Sequence, residues 1–188
     1  WKVANIFFPY NTPVRQGNAS SENVDNDTDN NGGGGGGGGG CVVLDSYLPG
    51  TINQAYKLYK GASLLLGTED LGTVEGKVKE IITDKQPCVR VTTRKGVVLE
   101  CSTTAPIYTQ DGDYVDAPEL LGKYVAVNLI GITSFDEVID VTHIGEHFVA
   151  VIDTGDNNFW AGVKPGAYMM HHNIGLNFNG LNWNISKK

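Results

Sequence analysis

From Cys41 onward the chain alternates short apolar runs with turn residues, a pattern that predicts strands at 42–44, 74–82, 88–92, 97–101, 124–130, 137–142 and 147–153. Only 54–59 and 117–121 read as helical, each for little more than a turn. Many short strands with so little helix predict an all-β fold. Ahead of Cys41 the pattern is different. Val3, Ala4, Ile6, Phe7 and Phe8 followed by Pro9 and Pro13 read as one strand and an exit, so 1–15 is expected to end a preceding module. Residues 16–31 offer almost nothing to bury, and 32–40 are all glycine. Together 16–40 are expected to be a disordered polar linker with a polyglycine tract. At the other end Ile174, Leu176 and Phe178 alternate up to Asn179-Gly180, and Leu181, Trp183 and Ile185 alternate beyond it. A β-hairpin across a type I′ turn over 174–188, with one apolar face to pack elsewhere, is the expectation.

Composition narrows the function classes. With 40% hydrophobic and 19% charged residues among 188, the chain can form one ordinary core. The net charge of -7 gives no basic footprint for a phosphate backbone, so no nucleic-acid partner is expected. No apolar stretch approaches a bilayer span and no signal-peptide pattern opens the chain, so no membrane partner is expected either. Trp1 in place of an initiator methionine points to a fragment or a processed product. Three cysteines, Cys41, Cys88 and Cys101, do not make a paired framework, which fits a reducing compartment. Cys88 and Cys101 read as strand packing residues rather than a redox pair.

Two stretches carry the first chemical signal: Cys41-Val-Val-Leu-Asp-Ser46 with Ala55 to Gly61 behind it, and Gly96 to Ile107 continuing through Asp111-Gly112 to Leu120-Leu121-Gly122. Val151-Ile-Asp-Thr154, Asn158-Phe-Trp-Ala-Gly162 and His171-His172-Asn173 close the series. In this order the blocks resemble the Hint family of inteins, bacterial intein-like domains and hedgehog autoprocessing domains, over residues 41–173. The resemblance implies an all-β Hint horseshoe and autocatalytic cleavage of the chain's own peptide bonds, with the flanking segments as substrate and no cofactor. A polyglycine run ahead of such a cysteine is also associated with bacteriophage tail or fibre proteins. That association implies other tail proteins as partners and the virion tail or fibre as location.

The residues support a definite chemistry. The Cys41 thiol can attack the preceding carbonyl to give a thioester, and Gly40 presents no side chain to obstruct the approach. The Asn173 side-chain amide can attack its own main-chain carbonyl and release Ile174, with His172 polarising that carbonyl or protonating the departing amine. Asp153 is placed by the resemblance where an acidic residue orients Cys41 or exchanges protons with it; a solvated hairpin aspartate is the alternative. His171 with His143 and His147 is the alternative set for a metal site. No carboxylate-rich cage accompanies these histidines, and no metal is expected.

Two departures from the family pattern matter. Ala105 stands where the second block has histidine, and Ser102 where it has threonine, so the first step loses a general acid. Hydroxyls of Ser102, Thr103 or Thr104 remain to hydrogen-bond a developing oxyanion. Ile174 has no nucleophile, which excludes conventional splicing through the first downstream residue. The expectation is cleavage at Gly40-Cys41, at Asn173-Ile174, or at both. The rivals are an inactive Hint scaffold built into a virion tail, and an adhesive or receptor-binding β-module without Hint chemistry.

Overall fold

The structure is a computed structural model that describes residues 41–50, 52–155 and 158–172. The expected module end, linker and polyglycine tract, the C-terminal hairpin, and Gly40, Asn173 and Ile174 lie outside the described residues.

The described part is antiparallel β throughout, with two 3₁₀ turns at Ala55–Lys57 and Ala117–Glu119 where short helices were expected. Its strands are β1 (Cys41–Val43), β2 (Ser63–Gly67), β3 (Thr73–Lys77), β4 (Glu80–Thr93), β5 (Val98–Ser102) and β6 (Pro106–Tyr108). These are followed by β7 (Tyr114–Asp116), β8 (Tyr124–Leu129), β9 (Ile132–Asp153), β10 (Asn158–Lys164) and β11 (Ala167–His171). Hydrogen-bonded neighbours run β1-β5-β4-β9-β8-β11-β10-β2-β3, with β6 joining β11 to β7. An additional pairing of β1 with β9 closes the first four strands on themselves.

Local chemistry explains the connections. Leu129 pairs with Ile132 across Ile130 (φ 53) and Gly131 (φ 82), both left-handed as a type I′ hairpin turn requires. Asn128 Oδ1 accepts the Gly131 N–H at 2.9 Å and fixes that turn. Pro165-Gly166 joins β10 to β11, with proline pre-set at the first central position and Gly166 at φ 77 in the second.

Alternation then sorts the side chains by face. Val42, Cys101, Leu99, Val89, Val91, Ala150 and Ile152 enter the main core. Cys41 and Val43 point to the opposite face, where Cys88, Val149 and Val151 bury them. A third cluster gathers Tyr108, Ala126, Trp160, Tyr168 and Met170 behind β8, β10 and β11.

The expectation of uniformly short strands needs correcting. The predicted strand at 74–82 is two, because Val78 and Lys79 leave β3 to bond Ala62 and Asp153. The predicted 88–92 is the end of the 14-residue β4, and 137–142 with 147–153 belong to the 22-residue β9. In the outer part of this ribbon both strands are largely exposed, so polar residues such as Asp84, Lys85 and Gln86 erase the alternation that marks a half-buried strand. Pro87 lies in this ladder opposite Glu146, and its carbonyl accepts the Thr103 N–H at 3.0 Å. The ladder shifts register immediately after it, at Cys88/Val89.

Gly162 and Tyr47 exchange both backbone hydrogen bonds, at 2.7 and 3.0 Å, tying the segment after β1 to β10. A Cβ at Gly162 would run into the Ala167 carbonyl oxygen, a backbone atom with nowhere to go. Gly162→Ala is therefore expected to lower stability by about 2 kcal/mol or more, read as a lower urea midpoint at unchanged slope.

Candidate functional site

Cys41 opens β1 opposite Val151 of β9, with its side chain fully buried. Because Val42 pairs with Cys101, Cys41 stands beside Ser102, whose hydroxyl hydrogen-bonds the Cys41 thiol. Thr104 Oγ1 lies 3.5 Å from Ser102 Oγ, so the three residues form one polar thread. Burial pushes the Cys41 thiol up to about 12, and the nearby Asp84 carboxylate adds to the rise. Hydrogen bonds from Ser102 and Gln86 oppose it. At neutral pH the resting group is a thiol.

The second half of the site forms at the end of β11. Pro106 O accepts the His172 N–H at 2.8 Å, and the Tyr114 ring packs on the imidazole at 4.4 Å between centroids. Asn158 Nδ2 donates to the Tyr114 hydroxyl at 2.8 Å, which turns Asn158 Oδ1 toward His172 Nδ1 at 2.7 Å. The oxygen accepts, so Nδ1 carries the proton and Nε2 keeps its lone pair in the neutral ring. Tyr114 donates onward to Glu69 Oε1 at 3.3 Å, and burial pushes its hydroxyl up to about 12, so it stays a donor at neutral pH.

One short segment joins the halves. Ser102 touches the thiol, Ala105 N–H donates back to Ser102 O at 3.0 Å to close a turn, and Pro106 holds His172. Ala105 is fully buried on that turn, its methyl facing the main core. Asp153 lies two residues past the Cys41 partner on the same sheet face. Its Oδ1 caps the Gly155 N–H at 2.7 Å and its carbonyl holds Lys79.

His171 points the other way from His172, into the core against Phe159, and neither ring nitrogen meets a protein partner. Burial drives its pKa down to about 3, helped by the adjacent His172. Among the described residues no group of three or more His, Cys, Asp or Glu side chains is placed to hold a metal ion. No disulfide joins Cys41, Cys88 and Cys101. Ser102 lies between Cys41 and Cys88 in the sheet, which sets their strands roughly 10 Å apart, beyond disulfide reach.

The antiparallel order of β1 to β11 among the described residues is the Hint fold seen in inteins and a bacterial intein-like domain. The chain is similar to a DnaB intein from Synechocystis sp. PCC 6803, with a TM-score of 0.61 at 21% identity over 72% of this chain and 99% of that one. It is also similar to a bacterial intein-like domain from Clostridium thermocellum, with a TM-score of 0.56 at 16% identity over 70% and 97%. The TvoVMA intein gives 0.58 at 18% identity over 70% and 97%. At these identities the likeness is one of fold. No protein-family model matches the chain, and no curated protein does.

Sequence reasoning missed Asp84, Gln86, Tyr114 and the role of Asn158. Asp84 and Gln86 sit in a polar stretch read as a gap between strands, and Tyr114 reaches His172 only through the pairing of β6 with β7 and β11.

His171 has a consequence for stability. Its folded pKa, near 3, lies below the ordinary 6.5, so the unfolded chain takes up a proton as pH falls while the folded one does not. The stability it permits is complete above about pH 6.5 and is lost on acidification toward pH 3. His171→Leu is expected to remove about 3 kcal/mol of the loss between pH 7 and pH 4, measured by urea unfolding at each pH.

Proposed function

We propose that this domain is a self-processing module that cleaves its own backbone at Gly40-Cys41, at Asn173-Ile174, or at both, without ligating the flanks. The observation that carries the reading is the 102–106 turn, which touches the Cys41 thiol through Ser102 and His172 through Pro106. In the first step Cys41 sulfur bonds to the Gly40 carbonyl carbon, the peptide C–N bond breaks, and the thiol proton ends on the freed amine; water or an added thiol then attacks the thioester carbonyl, the C–S bond breaks, and the Cys41 sulfur leaves as a thiol, which frees the segment ending at Gly40. Ser102, backed by Thr104, steadies the sulfur or the developing oxyanion. In the second, the Asn173 side-chain nitrogen bonds to its own carbonyl carbon and a succinimide forms. His172 Nε2 then relays a proton to the departing Ile174 nitrogen. The hydrogen bond from Nδ1 to Asn158 selects the tautomer for that relay.

The unequal state of the two ends favours the second junction. Ala105 supplies no acid at the first, where the thiol is also held far above its ordinary range. The same two facts support a second reading, in which the fold is retained as an inactive scaffold. With the polyglycine tract, that scaffold would suit a tail or fibre protein of a bacteriophage, docked to its neighbours there.

Intact-mass spectrometry of the purified chain separates the readings. Active processing gives fragments ending at Gly40 or Asn173, the latter lighter than simple hydrolysis by the loss of water on succinimide formation. Cys41→Ala abolishes the first cut and Asn173→Ala the second. A chain that stays whole for days, with and without added thiol, sinks the processing reading and leaves the scaffold. Ala105→His is expected to speed the first cut on the order of 100-fold by restoring a proton donor. Asn158→Leu should slow the second about tenfold while Asn158→Asp retains most of the rate, followed by the release of the Ile174 fragment.

A further inference from the structure

The face that buries Cys41 carries a second polar group besides Ser102. On β4, Asp84, Gln86 and Cys88 alternate onto one face, and Asp84 pairs with Val149, which itself pairs with Val43 two residues from Cys41. Gln86 Nε2 donates to Asp84 Oδ2 at 3.0 Å, which fixes the amide plane. Gln86 also hydrogen-bonds the Cys41 thiol from its side chain, while its main-chain carbonyl accepts the Cys88 thiol at 3.3 Å. A primary amide has two N–H donors. One is committed to Asp84, and the other is available to sulfur.

We propose that Gln86, clamped by Asp84, is a positioning residue for the Cys41 nucleophile. This rests on the reading of Cys41 as the attacking group. An amide has no proton to give away at neutral pH, so its work is to hold the sulfur in one rotamer and to stabilise negative charge on it by hydrogen bonding. Asp84 has two opposed effects: it orients Gln86, and its charge disfavours the thiolate.

Those opposed effects give a signature that packing does not. Asp84→Asn keeps an acceptor for the Gln86 amide and removes the charge, so Cys41 becomes more reactive. Gln86→Leu removes the donor, so Cys41 becomes less reactive. The full chain is labelled with iodoacetamide at pH 8, and Cys41 modification is quantified by peptide mapping against Cys101, which is buried on the other face and reports general opening of the fold. The Cys41-to-Cys101 ratio is expected to fall about fivefold in Gln86→Leu and to rise about threefold in Asp84→Asn. Gln86→Glu, which adds a charge, should fall below Gln86→Leu. Ratios unchanged in both variants, or moving in the same direction in both, overturn the proposal. The readout needs no cleavage, so a chain that never self-processes still tests the Gln86 contact, while the mass measurement tests the processing reading alone.

Discussion

Everything in the site depends on β1 closing the gap between β5 and β9. Only three residues long, it hydrogen-bonds both neighbours, Val42 to Cys101 on one side and the run Cys41 to Val43 against Val149 to Val151 on the other. A strand this short has little affinity of its own. It is held by two ladders and by burial on both faces, Val42 in the main core and Cys41 with Val43 in the smaller cluster. The bend of the long β4–β9 ribbon brings the 149–151 end back to meet it.

That closure also weakens Cys41 as a nucleophile. A thiol sealed among Val149, Val151 and Cys88 is fixed in place, but it is also separated from the water that would stabilise its anion. The polar contacts around it, from Ser102, Gln86 and Thr104 behind Ser102, are uncharged, and the nearest influential charge, Asp84, has the wrong sign to help. His172 stands in a different setting. It is only partly buried, held by one backbone and one side-chain hydrogen bond, and packed on one face by Tyr114. The adjacent His171 shows what the core does to an imidazole, driving it toward permanent neutrality. Successive residues of β11 and its exit thus place two identical side chains in different surroundings, one sealed in the core and one partly exposed.

The all-β class was legible because Val42, Val89, Val91, Leu99, Val125 and Val127 mark buried faces by alternation alone. The edges of β8 and β5 were legible for the same reason. The β4–β9 ribbon was not, since its exposed stretches carry no pattern and its continuity is set by the partner strand. The Ile130-Gly131 turn was also hidden, because a β-branched residue at φ 53 contradicts the usual turn chemistry. In the candidate site, the order of blocks singles out Cys41, Ser102 and His172, and the structure sets Ser102 against the Cys41 thiol and His172 against Pro106. Gln86 and Tyr114 were not, because their relation to the site is one of register across strands and has no local spacing to read.

The pairing of Cys41 with Val151 also sets a clock. A ribosome delivers β1 more than a hundred residues before the segment of β9 that receives it, so the sulfur is enclosed only once that segment has emerged. Long-range pairings of this kind form late and slowly. A nascent chain therefore carries this thiol exposed, and only the closed sheet carries it enclosed.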